Sequence, residues 1–519
     1  MTVLAAATLA KDPEAAQQAR VLGFLDSCGF KRIDTHASIV FLGDDRVLKI
    51  KRAVKLPFLD YSTLEKRRLA CEEELKVNAG NAPEIYRRAV AITRKGDGSL
   101  EIGGTGTPVE WAVEMARFDE AQTLDHLAAE KVIDQSLALA MADAILQAHD
   151  KAPRAGGETW LASIPDLIDG NTDKFRAMCD LDVAEIDRLD AASHDHVTRL
   201  QSLLALRVKQ GFVRRCHGDL HLANIALVNG RPLLFDAIEF DPSIATTDIL
   251  YDLAFTLMDL VHFSQRSAAN ILFNRYLSGA AEDHLDGLGL LPLFLSMRAA
   301  IRAKVFFTRS EQAAHVEAAW QEAKRYFDLA GRLIAPEPPR LIAIGGLSGT
   351  GKSVLARELA GLIGPPPGAV VIRSDVVRKR LFGASETTTL PESAYRTDTT
   401  KRVYDLLSSA AERVLAQGYS VVLDAAFMQE NERAAVPAIA RKHNAAFAGL
   451  FLTADLATRI ARIERRQGDA SDATREVALM QETFATGHVD WQVVDASKAP
   501  DETLRRACAG VPGLALGVS

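Results

Sequence analysis

The second half of the chain alternates short apolar runs with longer amphipathic stretches. The apolar runs end in glycine or polar residues and read LIAIGG, AVVIRSD, SVVLDAAF and AAFAGLFLTA. Runs of this kind are typical of buried parallel strands. Between them lie helical patterns such as SVLARELAGLI and TKRVYDLLSSAAERVLAQ. Because strands that alternate with helices form parallel sheets, the pattern predicts an α/β domain with a parallel sheet over residues 341–519.

The start of the chain has a different pattern. A β-hairpin is predicted over residues 37–51, with its turn in the sequence GDD, and a further strand is predicted over 109–118. The stretch TLEKRRLACEEELKVNA between them is helical. These elements predict a small α+β lobe over residues 1–118.

From residue 119 to residue 333 the pattern is mostly helical. It is interrupted by HGDLHLANIALVNGRPLLFDAIEF, in which two strand-like runs flank Asn229-Gly230, a pair typical of tight hairpins. The prolines of APEPPR then predict an extended linker over residues 334–340. The chain is therefore predicted to be multidomain, with a two-lobed α+β first part, a linker and an α/β domain.

Composition and charge narrow the class of protein. The chain has 519 residues, of which 48% are hydrophobic and 25% charged, enough to build several cores. Lysine and arginine total 61 against 68 acidic residues, and the net charge of −7 argues against broad binding of nucleic acid. The apolar run over residues 288–297 contains glycine and proline, so we predict a buried helix there rather than a membrane span.

Cysteine use indicates the compartment. The five cysteines are odd in number and scattered without a C-x-x-C pair, which supports neither a disulfide framework nor a zinc cluster. The first residues, MTVLAAATLAKDPEAA, have no basic segment ahead of the apolar run, so no secretory leader is expected. We therefore expect a cytoplasmic protein. The cysteines are Cys28, Cys71, Cys179, Cys216 and Cys508.

A phosphate-binding loop lies between the first strand and the first helix of the α/β domain. Its sequence, GLSGTGKS, fits the pattern G-x-x-x-x-G-K-S. The glycines let backbone N–H groups surround phosphate oxygens, Lys352 reaches the outer phosphates, and Ser353 can hold Mg²⁺. The residues predicted to bind the nucleotide are Gly346, Ser348, Gly349, Thr350, Gly351, Lys352 and Ser353.

Polar residues at the ends of the next two strands favour a kinase. Asp375 follows the second strand and can accept the proton of an acceptor hydroxyl, while Arg378, one helical turn later, can bind an anionic acceptor. Asp424 ends the strand VVLD, where a Walker B carboxylate would orient Mg²⁺. Each carboxylate has an alternative interpretation as a helix cap.

A run of arginines follows the fourth strand. Arg459, Arg462, Arg465 and Arg466 lie along one face of a predicted helix, and a loop over residues 468–473 comes next. Such a helix and loop can fold over a nucleotide and bring an arginine to the transferring phosphoryl group. A solvated basic helix is the alternative, and the neighbouring P-loop favours the lid.

In these motifs, residues 338–519 resemble the zeta-toxin-like P-loop kinases, a group that also includes gluconate-kinase-like and polynucleotide 5′-kinase enzymes. The resemblance implies that Asp375 is the catalytic base and that Arg378 contacts the acceptor. It also implies that Arg465 or Arg466 is the lid residue, and the choice between these two arginines stays open.

A second set of kinase-type residues lies in the first half. The loop HGDLHLAN places Asp219 and Asn224 five residues apart, and Asp236 follows the predicted hairpin. In a kinase catalytic loop, Asp219 would position the acceptor hydroxyl, while Asn224 and Asp236 would bind Mg²⁺ that bridges the phosphates. A structural turn with an unrelated aspartate is the alternative. His217 is expected to brace the loop through hydrogen bonds rather than to act as an acid or base.

A kinase site of this kind also needs a strand lysine on the phosphates and a helix glutamate that holds it. The strand VLKIK offers Lys49 or Lys51, and the helix that follows offers Glu72, Glu73 or Glu74. We predict Lys49 with Glu73. No G-x-G-x-x-G precedes the lysine, and SIVFLGDD is the only candidate turn to cover the phosphates.

Over residues 30–330 these motifs resemble the aminoglycoside phosphotransferase and choline-kinase-like superfamily, in which HGDxHxxN and a later aspartate replace the HRD and DFG of protein kinases. The order of the two halves resembles proteins described as bifunctional aminoglycoside phosphotransferase/ATP-binding proteins. Family enzymes that bind polycationic aminoglycosides line the acceptor cleft with carboxylates. Four aspartates that follow Asp236 are either such a cleft or else helix caps and lobe-bracing residues: Asp241, Asp248, Asp252 and Asp259.

Together the motifs predict a cytoplasmic ATP-dependent phosphotransferase with two kinase-type sites that act on hydroxyl groups of small molecules. ATP and Mg²⁺ are the expected cofactors, and ATP is preferred to GTP by resemblance alone. One alternative is a single active half, the P-loop kinase, regulated by a nucleotide-binding kinase-like half. Another is a polynucleotide 5′-hydroxyl kinase, which the acidic balance disfavours. Small hydroxylated substrates are the expected partners, without membrane binding, and the acceptors and the oligomeric state stay open.

Overall fold

The structure is a computed structural model that describes residues 13–35, 37–56, 59–178, 180–281, 283–311, 316–466, 469–512 and 514. The chain divides into two compact units. The first comprises the described residues of 1–133, 143–164 and 205–259, and the second those of 134–142, 165–204 and 260–519. The predictions for the chain start, for Cys179 and for Gly468 lie outside the described residues.

The strands run in chain order as β1 (Lys31–Asp34), β2 (Ser38–Leu42), β3 (Arg46–Lys51), β4 (Lys55–Leu56), β5 (Leu59–Asp60), β6 (Tyr86–Arg94), β7 (Leu100–Ile102), β8 (Thr107–Ala116), β9 (Val213–Arg215), β10 (Ile225–Val228), β11 (Arg231–Leu234), β12 (Thr246–Asp248), β13 (Arg340–Gly346), β14 (Val370–Arg373), β15 (Val421–Asp424), β16 (Ala446–Thr453) and β17 (Gln492–Asp495).

The helices run as α1 (Pro13–Ser27), α2 (Leu64–Asn78), α3 (Leu124–Ala129), α4 (Gln135–Lys151), α5 (Glu158–Arg176), α6 (Val183–Lys209), α7 (Pro242–Ala245), α8 (Ile249–His262), α9 (Arg266–Gly279), α10 (Leu291–Ser310), α11 (Val316–Ile334), α12 (Lys352–Ala360), α13 (Ser374–Leu381), α14 (Thr397–Ala416), α15 (Glu430–Lys442), α16 (Leu456–Glu464), α17 (Arg475–Gln481) and α18 (Pro500–Ala509). Short 3₁₀ turns cover Glu120–Gln122, Leu222–Asn224, Leu285–Leu290 and Glu392–Tyr395.

An antiparallel sheet forms the centre of the first unit, with the strand order β1-β2-β3-β8-β6-β7. Its strands carry apolar residues on both faces, because a helix covers each face. Val21 of α1 packs in one cluster with Leu48 and Ile50, and Cys71 of α2 packs in another with Val47. The hairpin of β2 and β3 and the helix α2 are those that the sequence predicts, so these elements of the predicted α+β lobe are confirmed.

The hairpin of β10 and β11 lies between the two predicted catalytic segments. Asn229 and Gly230 connect its strands and have φ angles of 51° and 74°. Positive φ at both central residues is the geometry of the tight turns that Asn-Gly favours, so the predicted hairpin is confirmed. The hairpin brings the end of the HGD loop and the segment before Asp236 onto paired strands.

A parallel sheet forms the centre of the P-loop part of the second unit, with the strand order β14-β15-β13-β16-β17. The chain moves from β13 to one side for β14 and β15, and then to the other side for β16 and β17. This reversal opens a crevice at the carboxyl end of β13. Ile342 and Ile344 pack against Leu355 and Leu359 of α12. The predicted parallel sheet is confirmed, whereas β17 escapes prediction because QVVD contains only two apolar residues.

Two asparagines of α9 cover the edge of β14. Nδ2 of Asn270 donates to the backbone oxygen of Ala369 at 3.0 Å, and the N–H of Val371 donates to Oδ1 of Asn274 at 2.7 Å. These side chains satisfy backbone groups that an edge strand otherwise leaves unpaired. They also hold the strand whose end leads to Asp375.

The apolar stretch over residues 288–297 is buried as predicted, in a 3₁₀ turn and the start of α10. Among the described residues, no helix combines the length and the apolar character needed to cross a membrane. The helix α11 ends at Ile334 and β13 begins at Arg340, so the three prolines lie between these elements. The domain boundaries after residues 118, 333 and 340 stay predictions.

Candidate active sites

The P-loop makes the turn from β13 to α12. Gly346, Gly349 and Gly351 have φ angles of 132°, 82° and 95°, a region that residues with a side chain rarely adopt. A Cβ on Gly349 would also lie 2.5 Å from the backbone oxygen of Arg459. Both the conformation and the available space therefore require glycine at this position.

Lys352 begins α12 and its side chain turns back over the loop. Its Nζ donates to the backbone oxygen of Leu347 at 3.0 Å. Burial lowers the pKa of Lys352, while the charges of Asp424 and Asp375 act in the opposite direction. A phosphate oxygen is a stronger partner for an ammonium group than a carbonyl is, so this lysine is placed to receive one.

Ser353 and Asp424 lie together, as the metal prediction requires. Oγ of Ser353 donates to Oδ2 of Asp424 at 2.6 Å. Hydroxyl and carboxylate oxygens are the ligands that Mg²⁺ prefers, so the donor set fits this ion. The metal-binding role of the two residues stays a prediction.

Arg373, at the end of β14, joins this pair and is missed by the sequence analysis. Its Nε donates to Oδ2 of Asp424 at 3.2 Å, and its Nη2 donates to Oγ of Ser353 at 3.1 Å. Nη2 also donates to Oδ1 of Asp469 at 2.9 Å. The sequence does place this arginine at the end of a strand, directly before Ser374-Asp375. Its partners are distant in sequence, however, so no local pattern predicts these contacts.

Asp375 and Arg378 lie on α13 and line the same cavity as the P-loop. Burial, and after it the charge of Asp424, raises the pKa of Asp375 above its usual value. Nη1 of Arg378 donates to the backbone oxygen of Ala394 at 2.6 Å, and its guanidinium lies 4.8 Å from the ring centre of Tyr395. Nε of Arg378 is buried and has no hydrogen-bond partner among the described residues, which leaves a donor for a ligand.

The predicted lid helix is α16, and its first arginine is buried. Nε of Arg459 donates to the backbone oxygen of Ser348 at 2.8 Å, and Nη2 donates to Oε1 of Gln481 at 3.1 Å. These contacts contradict a solvated basic helix at this arginine. Arg465 and Arg466 line the cavity, and Nη1 of Arg466 is buried with no hydrogen-bond partner within the described part of the chain.

The loop that follows α16 contacts α13 and the segment that carries Tyr395. Oδ1 of Asp472 accepts from Nζ of Lys379 at 2.6 Å, and Oδ2 accepts from Oη of Tyr395 at 2.5 Å. Oδ2 also accepts from the N–H of Leu390 at 3.0 Å. The lid loop therefore contacts the segment that carries Tyr395, a contact between stretches too distant in sequence for a local pattern to reveal.

These groups surround a cavity of about 830 Å³. Its lining is partly polar, with the P-loop, Asp375 and Arg378, and partly apolar, as suits a nucleotide base. The apolar part of this lining could not be predicted from the sequence, because isolated apolar residues form no motif. The apolar lining residues include Val477, Phe484, Ala496, Pro500 and Leu504.

In the first unit, Lys49 lies between two carboxylates. Its Nζ is 2.8 Å from Oε1 of Glu74 and 2.5 Å from Oδ1 of Asp236. Burial alone would lower the pKa of Lys49, but Asp236 and Glu74 outweigh it and hold the pKa well above the usual value. Burial likewise opposes ionisation of Glu74, yet Lys49 and Lys51 bring its pKa down to about 2.

The predicted pairing of Lys49 with Glu73 is wrong. Glu73 lies on the exposed side of α2 and pairs with Lys76 at 3.1 Å, whereas Glu74 is fully buried. Adjacent residues of a helix point about 100° apart, so only one of them can face the strand. Nζ of Lys51 also lies 2.6 Å from Glu74, so one glutamate serves both lysines.

The predicted catalytic loop is held by hydrogen bonds at several points. Nδ2 of Asn224 donates to Oδ2 of Asp219 at 3.2 Å, so these two residues are together. Nε2 of His217 lies 2.9 Å from the backbone oxygen of Phe235, in agreement with a bracing role, and burial lowers the pKa of this histidine. Asp236 has a φ of 61°, a strained conformation that is common at functional sites.

Of the two interpretations of the later aspartates, the structure favours caps and bracing. Asp248 is buried against Arg207, with Nε 2.6 Å from Oδ2, and Oδ1 of Asp252 accepts from the N–H of Gly218 at 2.9 Å. The other two act similarly: Asp259 accepts from the N–H of Leu222, and Asp241 caps α7. These bonds leave the acidic cleft without support from these four residues.

A cavity of about 440 Å³ is lined by residues of the antiparallel sheet and of the two predicted catalytic segments. Lys49, Asp219 and Asp236 all line it, with a largely apolar surround. A cleft with an apolar wall and a few polar groups at one end suits a nucleotide. The apolar lining includes Val40, Leu42, Val47, Met115 and Phe118.

The corrected pairing can be tested with two neighbouring glutamates. Glu74→Gln is expected to lower phosphoryl transfer by this half at least about tenfold, because Lys49 loses the charge that holds it toward the phosphates. Glu73→Gln, the matched control on the exposed side, is expected to behave as wild type. Steady-state rates of ADP release, with melting temperatures to exclude unfolding, measure both. Equal losses in the two variants would contradict the pairing.

A family model matches the part of the chain that contains the P-loop. A family model described as an AAA domain matches residues 341–486. This range begins at β13 and ends after α17, so it includes the P-loop, Asp375, Asp424 and the lid helix.

Two solved structures are each similar to part of this chain. A gluconokinase from Sinorhizobium meliloti is 22% identical and covers 33% of this chain and 91% of its own, with a TM-score of 0.25. A choline/ethanolamine kinase family protein from Mesorhizobium loti is 15% identical and covers 59% of this chain and 92% of its own, with a TM-score of 0.33.

Similarity over nearly the whole length is found with mycobacterial proteins. The uncharacterized protein Rv2004c of Mycobacterium tuberculosis is 30% identical over 471 residues, which is 88% of this chain and 90% of the relative. A protein of Mycobacterium bovis matches to the same extent. A shared stretch of that length includes residues of both the first part of the chain and the P-loop part, and the chain therefore belongs to the same family as Rv2004c.

Proposed function

We propose that this protein is a cytoplasmic, ATP- and Mg²⁺-dependent phosphotransferase whose two halves each phosphorylate hydroxyl groups of small molecules. The observation that carries the proposal is that each of two cavities is lined by a lysine and by at least two aspartates. Phosphoryl transfer needs these groups: a cation on the phosphates, oxygen ligands for a metal and an acceptor for the hydroxyl proton. The scattered cysteines support a reducing compartment.

In the P-loop half, the loop N–H groups and Lys352 would bind the β- and γ-phosphates, and Ser353 and Asp424 would hold Mg²⁺. When bound, the ion neutralises phosphate charge. The acceptor hydroxyl oxygen bonds to the γ-phosphorus, the bond to the ADP oxygen breaks, and Asp375 takes the hydroxyl proton. The buried Nη1 of Arg466, with no partner in the described residues, supports this arginine over Arg465 as the contact of the transferring phosphoryl.

In the N-terminal half, Lys49 would bind the phosphates while Glu74 holds it. Asn224 and Asp236 would hold Mg²⁺, and Asp219 would take the proton of the second acceptor. The bond from Nδ2 of Asn224 orients the Asp219 carboxylate for this task.

A regulatory role of the N-terminal half is the second candidate. The sequence before Lys49 has no glycine-rich phosphate loop, which favours nucleotide binding without turnover in that half. In that case nucleotide in the first cavity would change the rate of the P-loop site, and the first unit would release no ADP of its own.

As the pH is lowered, the P-loop reaction is expected to lose activity at a higher pH than it would if its base were an aspartate with an ordinary pKa. Burial and the charge of Asp424 raise the pKa of Asp375, so this carboxyl stays protonated at pH values where an exposed aspartate is ionised. A protonated carboxyl cannot accept the hydroxyl proton. The value of kcat/KM should therefore fall as the pH falls through the raised pKa, and recover above it. A pH profile whose acid limb lies near the usual value of about 4 would contradict this role.

The experiment that tests the proposed function is a product screen with the full-length protein. ATP and Mg²⁺ are supplied with sugars, polyols, aminoglycosides, nucleosides or 5′-hydroxyl oligonucleotides, and mass spectrometry detects phosphorylated products. We expect one product that requires Lys352 and another that requires Asp219. A phosphorylated oligonucleotide would support the polynucleotide alternative, and product formation that neither Lys352→Ala nor Asp219→Ala reduces would contradict the proposal.

A further inference from the structure

Arg373 lies where the two groups predicted to hold the metal meet. Oδ2 of Asp424 accepts from Oγ of Ser353 at 2.6 Å and from Nε of Arg373 at 3.2 Å. Nη2 of the same guanidinium donates to Oγ of Ser353 at 3.1 Å. One arginine thus contacts both predicted metal ligands, and it shares Oδ2 of the Asp424 carboxylate with the serine.

A guanidinium in this position opposes the entry of a divalent cation. An arginine side chain stays protonated in proteins, so its charge is always present. A cation that approaches Oδ2 of Asp424 meets a like charge, and it must displace the hydrogen bond from Nε. The Arg373 side chain is only 15% exposed, so solvent screens this repulsion incompletely.

Asp469 offers the guanidinium a second partner on the lid loop. Its Oδ1 accepts from Nη2 of Arg373 at 2.9 Å, and it also accepts from the N–H of Ser471 at 2.9 Å, which fixes its orientation. The position of Arg373 therefore does not depend on Asp424 alone. Phosphate groups bound in the P-loop would add further anionic partners and draw the guanidinium away from the carboxylate.

We propose that Arg373 is a positioning residue that opposes the binding of divalent cations at Ser353 and Asp424 when no nucleotide is bound. When a metal ion arrives with a nucleotide, the guanidinium would move away from these two residues and the ion would bind there. The inference rests on the nucleotide site proposed above. It makes the binding of metal and of nucleotide at the P-loop mutually dependent, since each lowers the free energy of binding the other. Loss of the guanidinium should weaken that dependence by strengthening the binding of metal alone.

The test measures Mn²⁺ binding to the nucleotide-free protein by electron paramagnetic resonance of the free ion. All proteins carry Asp236→Asn, so that the metal residues predicted in the first unit do not contribute. We expect Arg373→Gln to bind Mn²⁺ roughly tenfold more tightly than its parent, and Arg373→Lys, which keeps the charge, to show a smaller gain or none. An unchanged or weaker affinity in Arg373→Gln would overturn the proposal.

A second variant locates the gained site. Adding Asp424→Asn to Arg373→Gln should remove the extra Mn²⁺ binding, and binding that survives this change would also overturn the proposal. Repeating the titration with ADP separates this inference from the proposed function. If ADP does not strengthen Mn²⁺ binding in the parent protein, the nucleotide site fails, whereas the comparison of the nucleotide-free proteins still decides the role of Arg373.

Discussion

Lys352→Ala is expected to lower kcat/KM of the P-loop reaction by about 10²–10³-fold, comparable to the loss of a preorganised group on a developing charge. The side chain lies over the loop with Nζ on the Leu347 carbonyl, among Asp424 and Asp375. Alanine leaves the phosphates without this cation, and it removes one of the positive charges that offset the repulsion between the two carboxylates and the nucleotide. The loss is measured from product formation at varied ATP concentration.

The matched control is Lys401→Ala. Lys401 is an exposed lysine of α14 and does not line the cavity, so its loss removes the same charge outside it. It should leave kcat and KM for ATP unchanged. The account of the P-loop half is contradicted if Lys352→Ala retains the wild-type rate, or if both variants lose activity to the same extent.

Asp219→Asn is expected to lower the reaction of the N-terminal half by about 10²–10⁴-fold, the usual contribution of a positioned acid or base. The amide has the size of the carboxylate and can still accept from Nδ2 of Asn224, so the loop should keep its shape. It cannot, however, take a proton from the acceptor hydroxyl. We therefore expect kcat to fall while KM for ATP changes little, because the proposed phosphate contact is Lys49.

Asp195→Asn serves as the control for this substitution. Asp195 has a side chain that is 73% exposed, and its pairing with Arg199 spans 3.9 Å. Exposed pairs of this kind contribute little. If Asp219→Asn forms all products at the wild-type rate, the first unit does not catalyse phosphoryl transfer, and the regulatory candidate gains support.

Much of the fold could be predicted because its signals are local. The alternation of apolar runs with amphipathic stretches predicts the parallel sheet, and the pair Asn229-Gly230 predicts the hairpin of β10 and β11. The P-loop could be read because its glycines need unusual backbone conformations that few other residues adopt. Such features depend on a short stretch of chain, and the sequence contains all of it.

The parts that escaped prediction depend on contacts between distant segments. Three consecutive glutamates on α2 are equivalent in sequence, and only the docking of that helix on the sheet buries Glu74 and exposes Glu73. Arg373 and Asp469 are 96 residues apart, so no local pattern shows that they pair. The same holds for Asp252, which braces the HGD loop from 34 residues away.

The claim that the chain has two nucleotide sites is tested most directly by binding stoichiometry. Equilibrium dialysis with a non-hydrolysable ATP analogue and Mg²⁺ needs no knowledge of the acceptors. With two sites, we expect two bound nucleotides per chain for the wild type, and one for either Lys352→Ala or Asp236→Asn. A wild-type stoichiometry of one nucleotide per chain, lost completely in Lys352→Ala and unaffected by Asp236→Asn, would contradict it.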